Sequence, residues 1–148
     1  MSSERILRTP GMQIANCHCG KVQITCLGEP DPIVMCHCDL CQRRTGSLFG
    51  IAAWFEQSSV TITGTTKAFT RTSGEAGLPF TFNFCTECGT SIWWLPPRTD
   101  GPLKGKIGIA GRCFADPHFP PPTMSIYEKQ MHGWFTPPSS TESYEVGF

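Results

Sequence analysis

Seven cysteines, grouped in three short motifs, constrain this chain more than any other feature of its sequence. The motifs read CHCG, CHCDLC and CTECG, and their cysteines are Cys17 and Cys19, then Cys36, Cys38 and Cys41, then Cys85 and Cys88. Clustered cysteines are typical of metal-binding or catalytic sites in reducing compartments, where structural disulfides are rare. The odd total of nine cysteines also argues against complete pairing. The sequence therefore predicts metal binding by thiolates.

The spacing within the motifs favours convergence of the sulfurs on one ion. In a CxC on a strand both cysteine side chains point to the same face, and a CxxC followed by glycine is a common zinc knuckle. Two such pairs make a closed, tetrahedral, all-thiolate zinc site of the structural kind. The seven ligands divide most simply into four and three, and three ligands leave one coordination position open, as in catalytic zinc sites. Spacing alone does not say which pair joins which.

The alternative is that the Cys36 to Cys41 group takes a fourth protein ligand, such as Cys113, and is purely structural. We favour the open site, because Cys113 stands in GRCF without another ligand nearby in sequence. His18 and His37 each lie inside a CxC, where an extended backbone points them away from the metal of their neighbours. Both are therefore expected to be hydrogen-bonded or exposed rather than ligands. Cys26 is expected to be a small buried hydrophobe.

Short strands are predicted over most of the chain. In KVQITCL the apolar side chains of Val22, Ile24 and Cys26 alternate with polar ones, as on a half-buried strand. Further candidates are SVTITG, FTFNFC, TSIWWL, KIGIAG and LFGIAAWF, the last buried on both faces. The only helix predicted is a turn or two through DLCQRRTG, ending at Gly46 as its C-cap. This pattern predicts a mainly β fold.

The C-terminal part is rich in proline and is predicted to be extended. We expect it to wrap across the domain, because it carries Ile126, Tyr127, Trp134 and Phe135, which need burial. The length of 148 residues predicts one domain over residues 1–148.

Charge and hydropathy exclude several classes of partner. Lys plus Arg and Asp plus Glu both number 12, so the sequence predicts no nucleic-acid partner. No apolar run approaches the roughly 20 residues of a membrane helix, so no membrane partner is expected. Charged residues at Glu4, Arg5 and Arg8 stand where a secretory signal would be apolar. A soluble, cytoplasmic protein is expected.

The order of the motifs resembles that of a known family. It is similar to that of the glutathione-dependent formaldehyde-activating family, which includes the centromere protein V domain. The shared order is CxCG, then CHCxxC followed by a basic residue and TG, then FCxxCG[TS]. The resemblance covers a core of about residues 16–135, and the IAGRCFADPHFPPPTMSIYEKQMHGWF ending also looks like that family's ending. It implies a β-tent of short antiparallel sheets with zinc knuckles. Phe82 departs from the pattern, because members often carry a basic residue there, and Ser125 stands where many have histidine.

The resemblance also implies two zinc ions per chain and says which cysteines bind each of them. Cys17, Cys19, Cys85 and Cys88 would hold the structural zinc, and Cys36, Cys38 and Cys41 the catalytic one. The family's named reaction joins glutathione and formaldehyde as S-hydroxymethylglutathione or reverses it, a carbon–sulfur lyase activity.

Two functions are compatible with these residues. The first is a zinc-dependent carbon–sulfur lyase-type enzyme acting on a small thiol or carbonyl substrate, since an open zinc can lower the pKa of a thiol or polarise a carbonyl. Three thiolates leave such a site negatively charged, so we expect Arg43 or Arg44 to balance it or to contact a substrate carboxylate, unless both are solvated surface arginines. The second function is a non-catalytic, zinc-stabilised binding module, because fold does not fix function.

Aromatic side chains near the motifs could wall a substrate pocket, although such residues are more often core. The candidates are Phe49, Trp54, Trp93 and Trp94. The sequence offers no Ser-His-Asp order, paired carboxylates or glycine-rich phosphate loop that would indicate another chemistry.

Overall fold

The computed structural model describes residues 11–72 and 77–147, and these are mainly in β-strands. The elements are β1 (Met12–Asn16), β2 (Gln23–Leu27), β3 (Ile33–Cys36), α1 (Asp39–Thr45), β4 (Gly50–Glu56), β5 (Val60–Thr63), β6 (Thr66–Arg71), β7 (Phe80–Cys85), β8 (Ser91–Trp94), β9 (Lys106–Ala110), β10 (Met124–Ile126) and β11 (Glu142–Ser143). Short 3-10 helices lie at Gln57–Ser59, Gly111–Phe114 and Glu128–Gln130. No helix in the described ranges is long and apolar enough to cross a membrane.

The strands form two sheets. A 3-stranded sheet has the order β1-β2-β5, and an 8-stranded sheet has the order β11-β10-β3-β4-β9-β8-β7-β6. Neighbouring strands are antiparallel except at β10, which runs parallel to both β3 and β11. The predicted mainly β fold of short antiparallel sheets is confirmed, and the parallel strand was not foreseen.

Alternation along the strands defines the interface between the sheets. Val22, Ile24 and Cys26 are all fully buried, as the sequence pattern predicts, and burial raises the pKa of the Cys26 thiol to about 12. They pack in one apolar cluster with Phe55 of β4 and Ile109 of β9. The central strand β4 is buried on both faces at residues 53–55, which confirms the prediction for LFGIAAWF.

Helix α1 ends as predicted and begins on a cysteine. Its C-cap is Gly46 with φ 65°, a left-handed conformation that glycine adopts without strain. Its N-cap is Cys38, whose sulfur accepts a hydrogen bond from the Cys41 amide at 3.3 Å. The helix therefore holds two of the predicted metal ligands one turn apart.

The proline-rich C-terminal part joins the large sheet through β10 and β11. Ile126 is buried at 9% exposure, and Phe135 packs against Phe49 with ring centroids 5.0 Å apart. Trp134 is 73% exposed, so the expectation that it is buried was wrong. Trp134 lies in a turn closed by the Phe135 amide, which donates to the His132 carbonyl at 3.0 Å, so the Trp134 side chain projects outward while Phe135 packs inward.

Candidate metal centres and cavity

The first cysteine group joins the two sheets. Cys17 directly follows β1, Cys19 lies in the turn after it, Cys85 ends β7, and Cys88 lies in the next turn. The four sulfurs lie within 4.8 Å of one another. The Cys17–Cys19 and Cys19–Cys85 sulfur pairs are 3.6 and 3.7 Å apart. The structure thus brings together the four residues predicted for the closed zinc site.

Both loops of this group have the same local construction. The amide of Cys17 donates to the carbonyl of Val22 at 3.1 Å, and the amide of Cys85 donates to the carbonyl of Thr90 at 3.0 Å. Gly20 supplies the left-handed turn in the first loop with φ 81°. These short closures point the two sulfurs of each loop to the same side.

Hydrogen bonds stabilise thiolate charge in this group. Burial alone would raise the pKa of Cys17, but the Val22 amide, which donates to its sulfur at 3.2 Å, and the thiols of Cys19 and Cys85 lower it. At Cys88 the hydroxyl and amide of Thr90 lower the thiol pKa to about 5. The Lys21 amide lowers the pKa of Cys19, but burial and the neighbouring thiols outweigh it and raise that pKa to about 11. The thiolate charge of the group therefore lies on Cys17 and Cys88, and this charge suits a cation.

The second cysteine group is a compact tripod at the start of α1. Cys36 ends β3, Cys38 is the N-cap and Cys41 lies in the first turn, and their sulfurs lie within 4.8 Å of one another. In the part of the chain that the structure describes, no fourth Cys, His, Asp or Glu completes this group. Cys113 instead packs against the apolar cluster that contains Cys17.

Both groups offer the thiolate ligands that zinc prefers, and the four-cysteine group also has the sulfur spacing of a tetrahedral site. Zinc–thiolate bonds of about 2.3 Å at tetrahedral angles place the sulfurs about 3.8 Å apart. The distances of 3.6 and 3.7 Å in the four-cysteine group agree with that value. All nine cysteines lie in the described ranges and none is in a disulfide, so every thiol in the two groups is available as a ligand.

Negative charge in the tripod concentrates on Cys41. Hydrogen bonds from the thiols of Cys36 and Cys38 lower the pKa of Cys41 to about 2, and the positive charges of Arg44 and Arg71 act in the same direction. The same interactions raise the pKa of Cys36. The tripod therefore has an anionic character before any metal is considered.

The two histidines of the CxC motifs lie outside both sulfur groups, as expected. His18 is exposed. His37 is fully buried, shares a 3.0 Å hydrogen bond with the Ser125 hydroxyl, and packs between Phe49 and Phe135 with ring centroids 5.7 and 5.8 Å away. Burial lowers the pKa of His37, which keeps it neutral. This packing fixes the backbone between Cys36 and Cys38.

A cavity of about 560 Å³ adjoins the tripod, and Cys36, Cys38 and Cys41 all line it. Its walls are mostly apolar, formed by Val34, Trp54, Phe80, Phe82, Trp94 and Ile126. A Cβ at Gly108 would lie 2.5 Å from Nε1 of Trp94 and 3.1 Å from Cη2 of Trp54, so only glycine lets these two indoles approach the strand between them.

The predicted aromatic candidates divide between this cavity and the core. Trp54 and Trp94 line the cavity. Phe49 packs against His37, and Trp93 packs against the apolar cluster between the sheets.

The two predicted arginines point to different environments. Arg43 forms an exposed ion pair with Asp39 at 3.1 Å, with the arginine side chain 75% exposed. Arg44 lines the cavity, and its guanidinium lies 4.6 Å from the Trp94 ring centroid and 5.0 Å from that of Phe82. Of the pair, Arg44 is the one placed to act on the tripod.

Sequence reasoning missed Arg71, the last residue of β6. Its guanidinium lies 5.2 Å from the Phe82 ring centroid and 5.4 Å from that of Phe80, and it lines the same cavity. Arg71 is opposite Phe80 in the β6–β7 register. No local motif marks it, because its position depends on the pairing of two strands.

Comparison with known proteins identifies a family. The family model described as glutathione-dependent formaldehyde-activating enzyme matches residues 12–130. A crystal structure of a Rhodobacter sphaeroides protein from a structural-genomics programme is similar at 22% identity and a TM-score of 0.45, covering 68% of this chain and 85% of that one. Comparison with curated proteins gives no match.

Proposed function

We propose that this chain, which belongs to the glutathione-dependent formaldehyde-activating family, is a zinc-dependent lyase-type enzyme that forms or breaks the carbon–sulfur bond of a small thiol adduct. The observation that carries the proposal is the position of the tripod. All three of its cysteines line a cavity large enough for a small molecule, and none of the four cysteines in the other group does.

We propose two zinc ions per chain with different roles, and the arrangement of the two cysteine groups supports this. Four cysteines fill the coordination of one ion and tie β1 to β7, which suits a structural site. Three cysteines leave a position for a substrate atom on the other, which suits a catalytic site. We place both zinc ions in one domain that spans residues 1–148. We also place the protein in the cytoplasm, where the thiols stay reduced.

The reaction needs a thiol and a carbonyl held together. The sulfur attacks the carbonyl carbon, a carbon–sulfur bond forms, and the thiol proton ends on the former carbonyl oxygen, while the lyase direction reverses each change. A bound zinc would supply Lewis acidity toward sulfur or oxygen. The chain itself contributes a mostly apolar cavity that holds the reactants close, and the charge of Arg44, which offsets the excess negative charge of three thiolates.

The family's named substrates give the first test. If this chain acts on the family's named pair, proton NMR of glutathione with formaldehyde will show faster exchange between formaldehyde and S-hydroxymethylglutathione when zinc-loaded protein is present. The rate should return to the uncatalysed value when the protein is stripped of metal. An unchanged rate with the zinc-loaded protein would remove glutathione and formaldehyde as the substrate pair.

The rival function, a binding module without turnover, predicts a different metal behaviour. We expect mass spectrometry of the native protein to find two zinc ions per chain, one of which leaves under mild chelation. The tripod ion should leave first, because three ligands hold it and its cavity admits a chelator. Two equally inert ions, or one ion in total, would contradict an open catalytic site and favour the binding module.

A further inference from the structure

Three arginines line the tripod cavity, and two of them, Arg44 and Arg71, lie together against Phe82, while Arg98 is exposed. The guanidiniums of Arg44 and Arg71 both lie within about 5 Å of the Phe82 ring centroid. Neither forms an ion pair with an acidic residue in the described ranges. The Nε atom of Arg44 is buried and, among the described residues, has no hydrogen-bond partner. Buried polar atoms in proteins are normally hydrogen-bonded, so the Arg44 guanidinium has capacity for an anion, and Arg71 adds a second positive charge beside it.

The tripod does not use up this positive charge once it holds a metal. Three thiolates around a divalent ion leave one negative charge, against two from the arginines. While the substrate position on the metal is open, a net positive charge therefore remains beside Phe82. Because guanidinium groups bind carboxylates through paired hydrogen bonds, a carboxylate is the anion that this site suits best.

The rest of the cavity is suited to an apolar body. Trp54, Trp94 and Ile126 provide an aromatic and aliphatic wall. The acidic groups that line the cavity, Asp39 and Asp100, are both exposed, and Asp39 is already paired with Arg43. A dipolar peptide such as glutathione would bring an ammonium group, two carboxylates and two peptide units. The charged side chains that line the cavity besides Arg44 and Arg71 are Arg98, Asp39 and Asp100, which are exposed and already solvated by water, so they would gain little from these groups.

We infer that the cavity takes a thiol or aldehyde with an apolar, aromatic-sized body and a single carboxylate, which Arg44 and Arg71 bind while the reacting group faces the tripod. The identity of the reacting group rests on the proposed function. The anion subsite rests only on the arginines, Phe82 and the apolar walls.

The subsite is tested with zinc-loaded protein and two pairs of probes measured by isothermal titration calorimetry. The first pair, 4-methylbenzoate and 4-methylbenzamide, has the apolar aromatic body but no thiol or aldehyde. The second pair, 4-mercaptobenzoate and 4-mercaptobenzamide, adds the thiol. We expect each carboxylate to bind roughly 10-fold or more tightly than its amide, the size of a charge-assisted hydrogen bond. Glutathione should bind more weakly than 4-mercaptobenzoate.

Substitutions of the two arginines separate an effect of their charge on binding from an effect on folding. Arg44→Met and Arg71→Met should each weaken carboxylate binding about 10-fold and leave amide binding nearly unchanged. Arg44→Lys should recover part of the loss. Arg112→Met removes an exposed arginine that does not line the cavity and should change neither affinity. If amide binding falls equally, the arginines act through folding, and the inference fails.

The outcomes also distinguish the subsite from the reaction. Carboxylate selectivity that survives without any acceleration of carbon–sulfur chemistry would keep the anion subsite and remove the proposed lyase. Equal binding of carboxylate and amide, or tighter binding of glutathione than of 4-mercaptobenzoate, would overturn the inference even in an active enzyme.

Discussion

Cys85→Ser is expected to abolish cooperative folding. Cys85 is 1% exposed and lies at the end of β7, where its sulfur is 3.7 Å from that of Cys19 in the loop after β1. The substitution removes one of four ligands from the ion that we propose connects the two sheets. Structural zinc contributes about 10–16 kcal/mol in small zinc domains, which matches or exceeds the about 5–15 kcal/mol that stabilises a typical domain. Thermal denaturation followed by circular dichroism would measure the loss.

Cys26→Ser provides the matched control for this result. Cys26 is fully buried like Cys85 but belongs to neither sulfur group. The serine hydroxyl should cost about 1–3 kcal/mol for burial without a partner and leave both zinc ions bound. A Cys85→Ser protein that melts cooperatively near the wild-type temperature would show that the four-cysteine group is not structural. Equal losses in the two variants would assign the effect to burial alone.

The parts of the fold that could be predicted are those that depend on neighbours in sequence. Val22, Ile24 and Cys26 alternate with polar residues, and all three are fully buried. Helix α1 was predicted from the residues between Cys38 and Gly46, since a left-handed glycine is a local stop signal. The geometry of the cysteine motifs is also mostly local, because the CxC and CxxC spacings fix the directions of the sulfurs within one strand or turn.

The parts that could not be predicted depend on contacts between distant segments. Arg71 reaches the cavity only because β6 pairs with β7 and places it opposite Phe80. Strand β10 pairs with β3 in parallel, an arrangement that the proline-rich sequence around it does not indicate. Arg43 and Arg44 are adjacent and chemically identical, so only their directions from α1 separate the solvated arginine from the one in the cavity. The anion subsite is therefore a property of the folded sheet.

Cys38→Ser is expected to remove one zinc ion and all catalysed carbon–sulfur chemistry while the fold survives. The tripod would keep only Cys36 and Cys41, too few to hold zinc against competing water and chelators. The helix should persist, because the Cys38 sulfur accepts the Cys41 amide at the N-cap, and serine is among the most favourable N-cap residues. Mass spectrometry should find one zinc ion per chain, with the melting temperature close to that of Cys26→Ser.

The contrast between the two ligand substitutions tests the assignment of four and three cysteines. Both replace a buried thiol by the same hydroxyl, so differences between Cys38→Ser and Cys85→Ser report the role of each ion rather than the chemistry of the side chain. If Cys38→Ser loses activity but stays folded, and Cys85→Ser loses the fold, the tripod is the catalytic centre and the four-cysteine group is the structural one. Global unfolding of Cys38→Ser would instead mean that the tripod is structural. Retention of both zinc ions with full activity would mean that Cys38 is not a ligand, and that the opening of the tripod onto the cavity has no catalytic use.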